Sequence, residues 1–413
     1  MKVLIVSLYF PPAGGGGVQR PLKFATHLPA LGIETHVLAP DDPKWVHSDV
    51  DLQPPTQAWV HRVRYVGPRA RRPLEELHGR SGVDLAVRRA GLTFRRVLVP
   101  DEYVTWNTTA IPAAIRIARS EGIDAVLTTS PPTSVQLVGA AVKRATGARW
   151  VADLRDSLVA HPHRDADRLA VRAKEQTGVA VARLVARYAD AVVGAAPAIT
   201  EEMSGARGRV ATIENGSDFE DFAGLDYTPS TRFRITHAGS FFGRRTPRPF
   251  LEGLARSGVD AVARFVGDFR SADRLWAETL GLGDRVELHP YVPRRESLRL
   301  QRDSEALLLL IPEAGGRGRG VLSGKVFEYL AAERPILAVV PPDGAAAKLI
   351  REAGAGLVAP PDEVDAIAAA LRDLHARWQA GQLNGTPLSD EWRERLSRRA
   401  RAEELADLLR SLG

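Results

Sequence analysis

Short apolar, β-branched segments alternate with longer amphipathic stretches along almost the whole chain, and this alternation limits the possible folds. In the first half, strands are predicted at 3–8, 35–39, 58–63, 125–129, 150–154 and 191–194. The order then restarts, with strands predicted at 233–237, 261–267, 286–289, 306–311, 336–340 and 356–358. Continuous apolar strands separated by helices are typical of parallel sheets covered on both faces. The sequence therefore predicts an α/β protein.

The chain has 413 residues, which is more than one such sheet usually needs. A segment between Gly216 and Thr231 contains Pro and Gly and has no apolar periodicity, so the boundary is predicted there. We expect two Rossmann-like, doubly wound domains, over 1–220 and 221–388. One or two amphipathic helices are expected over 389–413.

Composition excludes several kinds of site and of membrane segment. The chain has no cysteine, so disulfides, thiolate metal sites and a cysteine nucleophile are excluded. No apolar run approaches the roughly 20 residues of a membrane helix, and the start does not resemble a signal peptide. These features favour a cytoplasmic location, with a peripheral position on the inner membrane face as an option.

The net charge of +6 is concentrated in one stretch, from Arg62 to Arg96, which has ten arginines against three acidic residues. Such a stretch can hold anionic lipid headgroups or phosphates. The alternative is a solvated basic face. Nucleic acid is disfavoured as a partner, because no aromatic interleaving or recognition motif accompanies the charge.

A glycine-rich loop follows the first predicted strand. Gly14, Gly15, Gly16 and Gly17 precede a predicted helix at 18–31, and Arg20 lies in its first turn. Such a loop lets the backbone approach a ligand, and the helix N-terminus offers N–H groups to an anion. The spacing does not fit a dinucleotide fingerprint, which disfavours an oxidoreductase. A loop without a ligand is the alternative.

A second glycine-rich segment precedes a predicted helix in the other half of the chain. Lys325 opens this helix and could neutralise a diphosphate, although the P-loop pattern fails at Arg319 and Val326. Glu328 lies one turn further on, within reach of sugar hydroxyls. The alternative for Glu328 is a capping or surface role.

Charged residues also end the strand predicted at 150–154. Asp153, Arg155 and Asp156 are candidates for catalysis, because charges at a strand's carboxyl end need solvent or a partner. A structural Asp–Arg pair with a helix cap is the alternative. Two histidines in the loop that follows are interpreted as bystanders: His161 and His163. The pairs Asp49/Asp51 and Asp165/Asp167 do not follow a strand closely, so no metal site is predicted.

The segment 323–338, Ser-Gly-Lys-Val-Phe-Glu-Tyr-Leu-Ala-Ala-Glu-Arg-Pro-Ile-Leu-Ala, resembles the GT-B glycosyltransferases, in particular retaining glycosyltransferase family 4. Further segments resemble the family's motifs in the same order: the glycine-rich loop, Asp-Leu-Arg-Asp at 153–156, Asn-Gly-Ser-Asp at 215–218 and His-Ala-Gly-Ser at 237–240.

The resemblance implies two domains facing across a cleft, with the acceptor mainly on the first and a nucleoside-diphosphate sugar mainly on the second. The last helix would cross back to the first domain. The nucleotide sugar would be a co-substrate, and neither a cofactor nor a metal is expected. Donor-binding positions carried over by this resemblance are Gly15, Gly16, Gly17, Arg20, Gly239, Arg244, Arg245, Ser323, Gly324, Lys325 and Glu328.

Two positions depart from the family pattern. Gly320 stands where the first glutamate of the E-x7-E motif is expected, and Glu313 is the candidate substitute. Arg155 stands where many members have a histidine, which leaves Asp153 and Asp156 to orient the acceptor.

The resemblance thus implies transfer of a sugar to an acceptor hydroxyl with retention of configuration. The acceptor could be lipid-linked, as in envelope polysaccharide assembly, or a small molecule. Two alternatives remain open: a nucleotide-sugar binding protein without transferase activity, motivated by Gly320, and a GT-B sugar-nucleotide epimerase.

Overall fold

The chain folds into two units, each built around its own parallel sheet. The computed structural model describes residues 1–43, 45–69, 95, 97–159, 169–241, 245–385 and 387–413. The first unit comprises the described residues up to Glu214 together with Arg401–Gly413, and the second comprises Asn215–Ala400. The division at 214/215 lies six residues before the 220/221 boundary expected from the sequence.

The sheet of the first unit has seven parallel strands in the order β3-β2-β1-β4-β5-β6-β7. These strands are β1 (Lys2–Val6), β2 (Glu34–Pro40), β3 (Trp59–Val63), β4 (Ala125–Ser130), β5 (Arg149–Leu154), β6 (Ala191–Gly194) and β7 (Arg209–Thr212). The described helices of this part are α1 (Gln19–His27), α2 (Asn107–Ser120), α3 (Gln136–Thr146), α4 (Leu169–Tyr188) and α5 (Pro197–Glu202).

The sheet of the second unit has six parallel strands in the order β10-β9-β8-β11-β12-β13. Its strands are β8 (Phe233–Ala238), β9 (Ala261–Val266), β10 (Val286–His289), β11 (Ala306–Leu310), β12 (Ile336–Val339) and β13 (Gly356–Ala359). Its helices are α6 (Arg248–Ser257), α7 (Ser271–Thr279), α8 (Arg294–Arg302), α9 (Gly324–Ala331), α10 (Ala345–Glu352), α11 (Val364–Gln379) and α12 (Asp390–Leu396).

The last helix, α13 (Arg398–Arg410), begins in the second unit and continues into the first. Its apolar face belongs to the core of the first unit, where Ala402, Leu405, Ala406 and Leu409 are fully buried beside β1 and α1. Arg410 also donates a hydrogen bond of 2.6 Å to the carbonyl of Leu31. The end of the chain is therefore part of the first unit's core.

These sheets confirm the predicted α/β class with two doubly wound, Rossmann-like units. One strand was missed: β7 is a four-residue edge strand whose side chains are all partly or fully exposed, and an apolar pattern does not mark it. The helix predicted at 18–31 ends earlier, at His27, because Pro29 cannot continue it, and a short 3-10 turn, Pro29–Leu31, follows.

In both sheets the order in which strands are added reverses between two central strands, β1 and β4 in one unit and β8 and β11 in the other. Open parallel sheets bind ligands at the carboxyl ends of the strands beside such a reversal. The residues that follow β1, β4, β8 and β11 are therefore the candidates for ligand binding.

Among the described residues, no helix is both long and apolar enough to cross a bilayer.

Candidate functional site

The glycine-rich loop follows β1 and is held by an arginine that follows β5. Gly15 adopts a φ of 88°, and nothing lies within 4 Å of where a Cβ would stand on Gly15 or Gly16. A Cβ on Gly17 would lie 3.2 Å from the Tyr9 ring. The Arg155 guanidinium donates to the Gly17 carbonyl. Two glycines of the loop thus have open space, while the third is packed against its support.

Arg20 and Asp153 form a buried ion pair. The Arg20 guanidinium donates to both Asp153 oxygens at 2.7–3.0 Å, and the two side chains are 5% and 0% exposed. Thr129 donates to Asp153 at 2.7 Å, and Arg20 reaches the Glu214 carbonyl at 2.9 Å. The sequence analysis assigns Arg20 to the donor and Asp153 to the acceptor, and in the structure the two side chains pair with each other. Their geometry favours the structural alternative, because a buried ion pair fixes α1 against β5.

Arg155 and Asp156 lie at the end of the same strand, beside the loop. Burial lowers the pKa of Arg155, and the negative charges of Asp156 and Asp153 oppose that shift. The arginine thus stays within the electrostatic influence of two carboxylates while it supports the loop. Its role in the structure is to position Gly17.

The other polar candidates of the first unit do not join this group. The Asp49 side chain is buried and accepts the Asp51 backbone N–H at 3.1 Å, which is a local turn. His161, His163, Asp165 and Asp167 lie outside the described residues. Within the described part, no three His, Asp or Glu side chains are grouped closely enough to hold a metal ion.

In the second unit, Lys325 lies against the loop that follows β8. Gly239 has a φ of 138°, and a Cβ placed there would stand 2.0 Å from the Lys325 ammonium nitrogen. Glycine is required at this position for two reasons, the backbone conformation and the approach of the lysine. Residues from the ends of β8 and the start of α9 are thereby brought together.

The environment of Lys325 is cationic. Burial, and then the neighbouring Arg245 cation, hold the pKa of Lys325 well below its usual range, and Glu328 opposes the shift. Arg245 is itself buried, with 7% exposure. A like charge nearby disfavours the protonated lysine, and a bound anion would favour it. Arg244, the other expected partner, lies outside the described residues.

Helix α9 begins beside these cations. Its N-cap residue, Ser323, makes no side-chain capping hydrogen bond, and Gly324 is exposed as the first helical residue. The first N–H groups of a helix lack intrahelical acceptors and carry partial positive charge. The start of α9 therefore adds to the positive potential around Lys325.

His237 was missed by the sequence analysis, which took it as part of a strand. Its ring is completely buried, its Nδ1 lies 2.8 Å from the Leu308 carbonyl, and its Nε2 has no partner within the part of the chain described. Burial, and then the Lys325 charge, hold the pKa of His237 well below its usual range. His237 is therefore a neutral, buried imidazole within the electrostatic influence of Lys325 and Arg245. The available signal was a histidine at the carboxyl end of a predicted strand.

Glu328 is held by residues of α8. Arg294 donates to one oxygen of the carboxylate and Gln301 to the other, each at 2.7 Å. Burial raises the pKa of Glu328, but Arg294 and Gln301 outweigh burial and leave it below its usual value. Glu328 is 17% exposed as a side chain, so it remains a charged, partly accessible acceptor.

Glu313 lies in the loop after β11. Its carboxylate pairs with Arg319 at 3.2 Å, and the following residues Ala314, Gly315 and Gly316 all have positive φ. Arg319 also pairs with Asp343 at 3.3 Å. The described contacts of Glu313 are thus to the loop itself rather than to the group around Lys325.

Comparison with known proteins identifies a domain family in the first part of the chain. Residues 15–216 match the model of the glycosyl transferase 4-like domain. Among curated proteins, none matches the sequence.

Solved structures match over the whole chain. Sucrose-phosphate synthase from Thermosynechococcus elongatus is 16% identical with a TM-score of 0.67, over 100% of this chain and 98% of that one. HepE from Anabaena, in complex with UDP-glucose, is 16% identical with a TM-score of 0.66 over all of both chains. WaaG, a glycosyltransferase involved in lipopolysaccharide biosynthesis, is 16% identical with a TM-score of 0.59, over 98% and 99%. At this identity the likeness shows the fold.

The chain has the GT-B fold of these solved glycosyltransferases. More narrowly, its residues 15–216 are a glycosyl transferase 4-like domain, as the resemblance of its motifs predicted.

Proposed function

We propose that the protein transfers a sugar from a nucleoside-diphosphate sugar to an acceptor hydroxyl, with the donor bound on the second unit. The observation that carries this proposal is the place of Lys325 in the first turn of α9, against the Gly239 backbone and within the electrostatic influence of the buried Arg245. A diphosphate bound there would be stabilised by both positive charges and by the first N–H groups of α9. HepE, which has the same fold, forms a complex with UDP-glucose and supports this choice of donor.

The reaction breaks the bond between the anomeric carbon and the diphosphate oxygen. The electron pair of that bond leaves with the nucleoside diphosphate, whose added charge is stabilised by Lys325, Arg245 and the first N–H groups of α9. The acceptor oxygen then bonds to the anomeric carbon, and its proton passes to the departing phosphate. Attack on the face that the phosphate leaves retains the configuration and requires no protein nucleophile.

The first unit would supply the acceptor site and the loop of Gly15 and Gly16. Their open surroundings allow a ligand to approach the backbone. Asp156 is the remaining acidic candidate near the loop for orienting the acceptor, because Asp153 is fully buried. Glu313 remains the candidate substitute for the carboxylate missing at Gly320.

The test is a donor and acceptor screen with a stereochemical readout. The protein is incubated with UDP-, GDP- and ADP-glucose and with a panel of glycoside and polyprenyl-phosphate-linked acceptors, with and without EDTA. We expect acceptor-dependent release of nucleoside diphosphate that is insensitive to EDTA. The anomeric configuration of the product, determined by NMR, should be the same as that of the donor sugar. Inversion of configuration would contradict the mechanism.

The same screen distinguishes the two alternatives. A sugar-nucleotide epimerase would convert the donor without an acceptor. A binding protein would retain the nucleotide sugar tightly and release no nucleoside diphosphate with any acceptor. Matched reactions with Lys325→Met and with Lys348→Met, an exposed lysine of α10 whose side chain is 78% accessible, control for loss of positive charge alone.

We further propose a peripheral contact with an anionic membrane through the basic stretch from Arg62 to Arg96, which would suit a lipid-linked acceptor. Most of this stretch lies outside the described residues. Of its described arginines, Arg62 bonds to the Pro11 and Pro40 carbonyls and Arg95 pairs with Glu102. Val97, next to the stretch, is 67% exposed.

Vesicle sedimentation tests this contact. We expect binding to phosphatidylglycerol vesicles but not to phosphatidylcholine vesicles, weakened by salt. Reversal of the exposed Arg64 and Arg69 to glutamate should weaken it further. Equal binding to both vesicle types would contradict an electrostatic contact.

A further inference from the structure

The segment that follows β8 is hydrogen-bonded to the end of β9 and to the residues after it. The Gly239 N–H donates to the Val266 carbonyl at 2.7 Å. The Phe241 N–H donates to the Asp268 carbonyl at 3.0 Å. Between them, the Ser240 hydroxyl donates to the Asp268 carboxylate at 3.1 Å and accepts the Asp268 N–H at 3.0 Å. Four hydrogen bonds thus fix the first three residues after β8.

A glycine allows the two segments to approach this closely. Gly267 has a φ of 119°, and a Cβ placed there would lie 3.0 Å from the Gly239 carbonyl carbon and from the Ser240 nitrogen. That distance is shorter than an ordinary van der Waals contact, so the position favours glycine. The Phe241 ring packs edge-on against Phe269, with 5.4 Å between the ring centroids. The segment after β8 is therefore packed against the segment after β9 as well as bonded to it.

A further contact, at the start of α7, holds the backbone of Arg245. The Arg270 guanidinium donates to the Arg245 carbonyl at 3.0 Å. Arg270 is the N-cap residue of α7, and its own carbonyl accepts the N–H groups of Asp273 and Arg274 at 2.9 and 3.0 Å. The helix thus fixes the main chain of Arg270, from which the side chain reaches Arg245.

The same helix also holds the residues that follow Arg245. Arg248, the first residue of α6, donates to the Asp273 carboxylate at 2.7 Å and lies over the Trp276 ring at 5.0 Å from its centroid. The Asp273 side chain is 2% exposed, so this contact is largely shielded from water. The segment that carries Arg245 is therefore attached to α7 at two points.

These contacts determine where a positive charge stands. Burial, and then the Arg245 charge, lower the pKa of Lys325, so the two cations lie within electrostatic range of each other. A like charge nearby disfavours the protonated lysine, so the segment that carries Arg245 has to be held beside it by other contacts. The hydrogen bonds of Asp268 and Arg270 to this segment are such contacts.

We propose that Arg270 and Asp268 are positioning residues of the diphosphate site. They hold the segment after β8 so that the Arg245 charge stays beside Lys325, and they thereby determine how strongly a diphosphate is preferred over a monophosphate. Their effect on ligand binding passes through Arg245. This inference rests on the proposed function and specifies how its phosphate site is held together.

Calorimetric titration with UDP and UMP tests the inference. The wild type should bind UDP about tenfold or more tightly than UMP. In Arg270→Met this ratio should fall to about threefold or less, because the Arg245 charge is no longer held at the β-phosphate. Arg274→Met, which removes an exposed pair with Glu278 on the same helix, is the matched control and should keep the wild-type ratio.

A double variant separates an effect that passes through Arg245 from a direct contact with the ligand. In an Arg245→Met background, Arg270→Met should cause no further loss of the UDP preference, because two residues that act through the same group are not additive. A further loss as large as that of Arg270→Met alone would show that Arg270 binds the nucleotide itself, and would overturn the positioning role.

Asp268→Ala provides a second variant if Arg270→Met does not fold, because Asp268 is exposed. It should also lower the UDP preference. A purely structural role would weaken UDP and UMP equally. An unchanged ratio in Arg270→Met, or in Asp268→Ala if the first variant does not fold, would therefore overturn the inference alone. Wild-type protein that binds UDP no more tightly than UMP would overturn the proposed function as well.

Discussion

Replacing Lys325 by methionine should change stability and ligand binding in opposite directions. Methionine keeps the length of the side chain and removes a charge that burial and Arg245 disfavour. Two like charges about 4 Å apart repel by about 4 kcal/mol at an effective dielectric constant of about 20, which sets an upper limit for this pair. Partial exposure of Lys325 reduces this repulsion, so we expect a gain of about 1 kcal/mol in the unliganded protein. For a unit of this size that corresponds to a rise in Tm of about 2–4 °C.

The stabilisation by nucleotide should fall in the same variant. At a UDP concentration 100 times Kd, binding stabilises the wild type by about 2.7 kcal/mol. Loss of a charged contact weakens binding by about 10–100-fold. At the same concentration the variant would then gain about 0.4–1.4 kcal/mol, about half or less of the wild-type effect.

The assay is a thermal melt of wild type, Lys325→Met and the exposed-site control Lys348→Met, each with and without UDP. The control should match the wild type in both measurements. An unchanged UDP shift in Lys325→Met would refute the assignment of the lysine to the donor site. A lower Tm of the unliganded variant would refute the claim that its charge is disfavoured.

Three further predictions concern stability. Gly239→Ala should cost about 1–3 kcal/mol of unfolding free energy in urea melts, because its φ of 138° strains any side chain and a Cβ would overlap the lysine ammonium; wild-type stability would contradict this. Arg20→Met should cost about 3–5 kcal/mol by the same measurement, because it leaves the buried Asp153 unpaired, and a cost below 1 kcal/mol would show that the pair is dispensable. Glu328, whose pKa is lowered in the fold, stabilises the protein above its unfolded pKa and loses this contribution as the pH falls through the folded value. Arg294→Gln removes the largest interaction that lowers that pKa, so the stability difference from wild type should shrink between pH 7 and pH 4, and a constant difference would contradict the sign.

Apolar periodicity was sufficient for most of the fold. Twelve strands lie where the sequence predicts them, and the central ones are the continuous apolar runs that parallel strands buried on both faces require. The strand Arg209–Thr212 was missed because it has only two apolar residues, between an exposed arginine and an exposed threonine. The early end of the helix at His27 could have been predicted from Pro29 alone.

Part of the candidate site could be predicted because it depends on residue types next to each other in the sequence. The glycine-rich loop and the Lys325 and Glu328 pair on one helix turn are of this kind. Contacts between distant parts of the chain could not be predicted. Arg20 was expected to face a ligand, yet it is 133 positions from the carboxylate it binds. Arg294 was not considered at all, since nothing in its own segment indicates two acids 34 and 73 positions away.

The central claim is that the cations of the second unit bind the diphosphate of a nucleotide donor. Calorimetric titration of the wild type and Arg245→Met with UDP and with UMP tests it most directly, because the two ligands differ only by the β-phosphate. We expect the wild type to bind UDP about tenfold or more tightly than UMP, and Arg245→Met to lose most of that preference. Equal affinity of the wild type for UDP and UMP, or a full preference in Arg245→Met, would contradict the claim.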